Sequence, residues 1–314
     1  MGRQCWITLF ILFFTGCSTI PTGELDNGAP IGTGRRLVVW TLSDIQPPSP
    51  AERVQFEQAI DDINDHVDQV DLAVIAGDLL KSRSREEDFA WFLATRNRSK
   101  VPDWYEIAGN HDVRSGARFR RYFTSPPHYA VEVGNVLLLL ISDESPASRT
   151  ELSDETFRWW RDMVIAYQSR IIITVTHGQL SGSGLLGSSV PSRQIAGSER
   201  FEKVLKAQRV AIWASGHSHL PQGLPGTVSL REEFGGTCFV NVSSIGEGPF
   251  MDSQSRFFIF EDGSDRVRIR SRNHSKGRFD RSLDLELRLD KPFVWNGEGA
   301  RKVELATAGS SSFP

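Results

Sequence analysis

The feature that most constrains this chain is a series of short, unbroken apolar runs separated by helix-patterned segments. Residues 36–43, 71–76, 104–108, 136–142, 171–176 and 210–214 are rich in apolar side chains at successive positions, not at alternate ones. A strand that is apolar on both sides must be covered on both faces, which calls for an α/β core. Between the runs, Ser49-Pro50-Ala51-Glu52 reads as a helix start, followed by Phe56, Ile60, Ile63 and Val67 at helical spacing. Ser84 with Glu87, Ser153 and Ser198 predict the caps of three further helices. Residues 128–133 and 136–142 flank Gly134-Asn135 and predict a hairpin. From residue 237 the pattern turns to β, with strands predicted over 237–243, 256–261, 266–272 and 283–289.

The ends of the chain carry a different signal. Residues 1–16 hold one charge, Arg3, and an apolar stretch from Trp6 to Phe14. That stretch is shorter than the roughly 20 residues needed to span a bilayer. Together with small residues at its end it reads as an export signal. Phe13-Phe14-Thr15-Gly16-Cys17 resembles the lipobox of bacterial lipoproteins, with Phe14 where Leu is usual. The expected organisation is a signal peptide over 1–16, a lipidated Cys17 with a flexible tether over 17–36, a catalytic-type domain over 37–296 and a frayed tail over 297–314. The resemblance implies a protein of the bacterial cell envelope, held to a bilayer, expected to be the outer membrane, by acyl chains on Cys17. Plain secretion and an uncleaved anchor remain alternatives.

Charge and cysteine content exclude two classes. A net charge of -3 with 36 basic and 39 acidic residues does not suit a protein that coats nucleic acid. Three cysteines in 314 residues cannot build a disulfide framework. Neither a Walker A loop nor a Gly-x-Ser-x-Gly elbow is present in the sequence.

The chemistry gathers at the ends of the apolar runs, where open α/β sheets bind ligands. The first run leads into Asp44-Ile45-Gln46, the second ends Gly77-Asp78, and the third ends Gly109-Asn110-His111-Asp112. Two later ones end Thr176-His177-Gly178 and Gly216-His217-Ser218-His219. Four of the 7 histidines fall in these blocks. Asp supplies an anionic oxygen that can bridge two cations, His a neutral nitrogen, Asn and Gln amide oxygens. Residues two apart in extended backbone share a side, so His217 and His219, and likewise Asp44 and Gln46, are expected to face one site. Gly77, Gly109 and Gly216 let the backbone turn without a Cβ clash. No cysteine joins the set, which argues against a structural thiolate zinc site.

This order of blocks resembles the calcineurin-like metallophosphoesterase superfamily, from Asp44 to His219. The resemblance implies a four-layer α/β/β/α sandwich, with the late strands as added C-terminal β hairpins, and two divalent metal ions (Mn, Fe or Zn). By matching position, Asp44, Gln46, Asp78 and His219 would bind the first metal. Asp78, Asn110, His177 and His217 would bind the second, with Asp78 as the bridge. His111 would contact the phosphate and protonate the leaving oxygen, and Asp112 would orient His111. The implied activity is hydrolysis of a small phosphorylated substrate, monoester or diester, by a metal-bridging hydroxide. Gln46 departs from the pattern, because His is usual there. The alternative is a non-catalytic metal- or phosphate-binding lipoprotein whose first metal site has decayed at Gln46. Oligomeric state is left open.

Other candidates have plainer readings. His66, among Asp61, Asp62 and Asp65, reads as a solvated face. His128 reads as a loop residue or part of the site rim. His274 reads as a residue between strands or a substrate contact. Arg266, Arg268, Arg270 and Arg272 share one strand face, either solvated or guiding an anionic substrate. Residues 181–189 read as a flexible loop or a lid. Cys238 reads as a small buried side chain. The Asn-x-Ser triplets at Asn97, Asn241 and Asn273 matter only in a eukaryotic host, which the lipobox argues against.

Overall fold

The computed structural model describes residues 34–47, 49–123, 126–246 and 251–303; the expected signal peptide, Cys17, most of the tether and residues 304–314 lie outside them. The chain begins with β1 (Arg36–Leu42), β2 (Leu72–Ala76) and β3 (Asp103–Ile107), joined in parallel. A second sheet takes β4 (His128–Val133), β5 (Val136–Ile141), β6 (Ile171–Thr176), β7 (Ile212–Ser215), β8 (Val228–Arg231) and β9 (Thr237–Asn241). Its inner strands β5, β6, β7 and β9 are parallel. The chain then returns to the first sheet with β10 (Gln254–Glu261), β11 (Arg266–Asn273), β12 (Arg278–Phe279) and β13 (Leu285–Arg288). All four are antiparallel additions, as the late β pattern predicts.

Alternation along each strand sorts the apolar side chains into three layers. Leu37 and Val39 of β1 meet Leu138, Leu140, Ile173 and Val175 in the core between the sheets. Val38, Trp40 and Leu42 point the other way, onto α1 (Val54–His66) and α2 (Glu86–Asn97). The opposite outer face packs Leu137, Leu139 and Ile172 on α5 (Asp154–Ala166) and α6 (Ser198–Leu205). Two short helices, α3 (Asn110–Arg114) and α4 (Ala117–Tyr122), follow β3. This is the expected α/β/β/α sandwich. Each buried Leu, Ile or Phe contributes about 1.5–3 kcal/mol, so β1 and β5 are fixed from both sides.

One predicted cap holds, and several other local expectations are corrected. Ser153 caps α5, accepting the Thr156 N–H (3.2 Å). The cap of α2 lies one residue later than predicted: Arg85 N–H donates to Asp88, while Ser84 donates to the Lys81 carbonyl. α6 is preceded by Gly197 in left-handed backbone, and Ser198 is its first residue. The tail is not frayed from 297, because β14 (Arg301–Val303) pairs with β4 and Val303 packs on the outer core. Val228–Arg231 was also unforeseen.

His274 and Arg272 are not site residues. Arg272 Nε donates to Asp62 (2.8 Å), His274 Nδ1 donates to the same carboxylate (2.8 Å), and Ser255 Oγ joins His274 Nε2 (2.7 Å). Trp40 Nε1 completes the chain by donating to Ser255 (2.8 Å). All of these groups are buried, so the network ties α1 to β1, β10 and β11. Asp62 thereby leaves the solvated face assigned to it, while His66 remains exposed. Arg266 and Arg270 are engaged by Glu286 and Asp284. Cys238 is buried, as expected. Among the described residues no helix is long and apolar enough to cross a membrane.

Candidate metal centre

All five sequence blocks meet at the carboxyl ends of β1, β2, β3, β6 and β7. The loops there are tight. Among the described residues, four of the expected ligands have left-handed backbone: Asp44 (φ 53°), Asp78 (φ 54°), His217 (φ 63°) and His219 (φ 46°). Side chains other than Gly rarely adopt this region, and such strain is found at functional sites. It also corrects one expectation. His217 and His219 reach the centre from left-handed turns, not by alternation along extended backbone. Gly77 has φ 89°, and a Cβ there would stand 2.6 Å from His177 Nδ1. A Cβ on Gly216 would stand 2.7 Å from Asp44 Oδ2. Both glycines are required by close approach.

One half of the centre is Asp78, Asn110, His177 and His217. Ligand atoms of Asp78, His177 and His217 lie within 4.8 Å of one another. His177 Nδ1 donates to the Ala76 carbonyl (2.8 Å), which aims Nε2 at Asp78 Oδ2 (3.2 Å) and Asn110 Oδ1 (3.2 Å). His217 Nε2 donates to the Ser192 carbonyl (2.8 Å), leaving Nδ1 for the centre. Backbone carbonyls thus fix both rings, as second partners of ligating histidines do. The other half is Asp44, Gln46 and His219. His219 Nε2 stands 2.9 Å from Asp44 Oδ1 and 3.2 Å from the Gln46 amide. Asp44 Oδ2 accepts the His217 N–H (2.8 Å) and the Ser43 hydroxyl. Oδ1 is buried and faces His219 Nε2.

Charge in the centre is strongly polarised. Burial opposes ionisation of Asp44 and Asp78, yet His219 and His177 outweigh it and hold both carboxyls below the usual range. Burial likewise opposes the His177 charge, but Asp78 raises it well above its ordinary value. His219 is raised chiefly by Asp44. Burial and the His177 charge push His217 down to about 4, the neutral form a ligand needs. Buried carboxylate oxygens, converging imidazole nitrogens and amide oxygens are a donor set that fits divalent cations.

His111 and Asp112 part company. His111 is half-buried, its backbone N–H bound to Asp78 Oδ1 (2.9 Å). Its Nδ1 meets Ser82 Oγ (2.9 Å) and the Ser82 N–H (3.4 Å). Because that N–H can only donate, Nδ1 accepts and Nε2 carries the proton. Asp112 does not touch this ring. Its carboxylate accepts the N–H groups of Leu79 (3.1 Å), Leu80 (3.1 Å) and Gly109 (2.9 Å). Asp112 is therefore the brace between the β2 loop and α3, and Ser82 is the residue that orients His111. Burial pushes the Asp112 carboxyl up to about 8, and burial holds His111 below its ordinary value.

Two residues were missed. Asp143, two positions beyond β5, is buried, and burial pushes its carboxyl up to about 7. An acid just past the end of an apolar strand, like Asp78, was the available signal. Gln179 follows His177 by two residues and is fully buried with its amide unpaired. His128 bonds Thr156 (2.8 Å) and stacks near Trp159, a structural role. Residues 181–189 are tied down, Leu186 N–H donating to the Gly226 carbonyl (2.7 Å).

Comparison with known proteins agrees with this geometry. The sequence matches the calcineurin-like phosphoesterase family over residues 37–221, and the chain belongs to that family. No curated protein matches it significantly. Among solved structures, purple acid phosphatase PPD1 from yellow lupin seeds is similar at 16% identity and a TM-score of 0.60. The match covers 82% of this chain and 54% of the phosphatase, so the chain spans about half of that protein. GAP50, the anchor in the inner membrane complex of Plasmodium, is similar at 12% identity and a TM-score of 0.58, covering 82% of this chain and 90% of that one. At these identities the likeness is one of fold.

Proposed function

We propose that the protein is a dinuclear metal-dependent phosphoester hydrolase acting on a small phosphorylated substrate. The observation that carries this reading is the meeting of two carboxylate–imidazole pairs, Asp44–His219 and Asp78–His177, beside a His111 whose tautomer is set by Ser82. Asp78, Asn110, His177 and His217 would hold one cation and Asp44, Gln46, Asp78 and His219 the other, each Mn, Fe or Zn. Such cations supply charge that neutralises phosphate oxygens and acidifies water.

The chain's own residues do the rest. His111 presents Nε2–H to the phosphate or the leaving oxygen. Burial holds its proton affinity below the ordinary value in the free protein. A bound phosphate dianion raises its proton affinity, so the proton needed by the leaving group arrives with the substrate. Ser82 keeps Nε2 forward, and Asp112 holds the two loops that carry Asp78 and His111.

Turnover of aryl phosphate monoesters and diesters with Mn, Fe or Zn tests the reading. Metal-dependent turnover lost on chelation supports it. Full metal occupancy with no turnover of either ester favours the non-catalytic alternative, for which the neutral Gln46 ligand is the specific observation.

We further propose that Cys17 anchors the protein to a bilayer in the bacterial envelope. Cys17→Ala should move it to the soluble fraction. Membrane association that survives both this change and a high-salt wash contradicts the anchor.

A further inference from the structure

His219 is placed differently from the other two histidines of the centre. Backbone carbonyls stand behind the rings of His177 and His217. The His219 ring instead meets Asp44 and the Gln46 amide, and it is more exposed. Its aim at Asp44 therefore depends on the backbone that carries it. That backbone is left-handed at His219 (φ 46°), a conformation that needs support from the surrounding structure.

The support comes from residues 241–246, at the end of β9 and beyond the residues matched to the family. Asn241 Nδ2 donates to the Gly216 carbonyl (3.0 Å), and the Ser243 hydroxyl donates to the Leu220 carbonyl (2.8 Å). These two bonds bracket His217-Ser218-His219. Further along, the N–H groups of Ile245 and Gly246 donate to the carbonyls of Ser43 (3.0 Å) and Asp44 (2.9 Å). One short segment thus clamps the two turns that bring Asp44 and His219 together. Ser243 sits at the middle of the clamp. It is fully buried, and its N–H donates to Asn241 Oδ1 (3.0 Å). Its carbonyl faces the Ser43 hydroxyl (3.2 Å), next to Asp44. Its backbone is left-handed at φ 72°, where glycine is less strained than serine. The hydroxyl is what a glycine would lack, and it bonds the residue directly after His219.

We propose that Ser243 is a positioning residue for the Asp44–Gln46–His219 half. Its hydroxyl, through the Leu220 carbonyl, holds the His219 ring against Asp44 and so sets how tightly that half retains its cation. The proposal rests on reading the centre as dinuclear. The other half is held separately, by the Ala76 and Ser192 carbonyls, so the effect of Ser243 is confined to one cation of the two.

The test compares Ser243→Gly and Ser243→Ala with wild type in the full chain loaded with Mn or Zn, reading metal content against chelator concentration. Both variants lack the hydroxyl, but only glycine relaxes the left-handed backbone, so Ser243→Gly should have the higher Tm of the two. Both should nevertheless release one metal equivalent at roughly tenfold lower chelator than wild type, the low end of the loss when an outer hydrogen-bond partner is removed. The second equivalent should leave at the wild-type level. Release of both equivalents at the wild-type level, or an equal shift of both, overturns the assignment. An early release in Ser243→Ala that Ser243→Gly does not share traces the effect to the backbone and overturns the role of the hydroxyl. If wild type takes up no metal, the dinuclear reading fails, and diethyl pyrocarbonate modification of the same chains still decides whether Ser243 places His219. A ring released from Asp44 reacts more readily, so His219 should be modified several-fold faster in Ser243→Gly than in wild type, measured against the exposed His66. An unchanged ratio of His219 to His66 modification overturns the placement.

Discussion

His177 and His219 each stand against a carboxylate, but the His177 side chain is 0% exposed and the His219 side chain 40%. The difference extends to everything around them. On the His177 side both rings are locked by backbone carbonyls of Ala76 and Ser192, and Asp78 and Asn110 are buried. On the His219 side, Gln46 is only half-buried, and His219 Nε2 finds just the Gln46 amide and the Asp44 carboxylate. An imidazole held by a carbonyl behind it is fixed in orientation, and a more exposed one beside an amide is held less firmly. The lesson is that the two halves of the centre are not equally supported. Here a rigid, well-supported half should bind metal tightly and a looser half weakly.

The largest expected effect comes from the residue that joins the halves. Asp78→Asn should lower metal content at both positions and remove activity, because in the proposed centre one carboxylate would serve both cations. A variant that kept both metals and a near-normal rate would dissolve the comparison. Next is His111, which belongs to neither half. His111→Gln should keep both metals and lose roughly 10²–10⁴ in kcat, the span for a lost general acid. The loss should shrink for nitrophenyl esters, whose leaving groups need little protonation. Equal losses for good and poor leaving groups would contradict the acid role. Ser82→Ala should lower kcat less, by about tenfold, with metal content unchanged, since one hydrogen bond orients the ring. The smallest effect on chemistry is expected at Asp112. Asp112→Asn turns an acceptor of three N–H groups into an amide that repels some of them. It should cost about 1–3 kcal/mol of stability, read as a lowered Tm, with activity per folded molecule within a few-fold.

Much of this was legible because strand chemistry is local. Runs such as 136–142 and 171–176 announce burial on both faces, and the five polar blocks sit where such strands end. Those blocks contain every residue now seen in the two halves. What the sequence did not reveal depends on three-dimensional partners. Asp112 looks like an orienting acid beside His111, but backbone amides from another loop claim it. His274 has the look of a site histidine, yet Asp62 from α1 and Ser255 from β10 hold it in the core. Arg301–Val303 carries too little pattern to predict a strand; its pairing with β4 makes it one. Asp143 was overlooked because a lone acid after a strand has no motif, although Asp78 obeys the same rule.

The inequality of the two halves is tested most directly by counting metals per chain against chelator concentration, for wild type and for Gln46→His. The wild type should lose one metal at clearly lower chelator than the other, with activity falling at the first loss, and Gln46→His should bring the two steps closer by placing an imidazole beside Asp44. Loss of both metals in a single step, at the same chelator level in both proteins, would contradict the unequal halves and the assignment of Gln46 as a ligand.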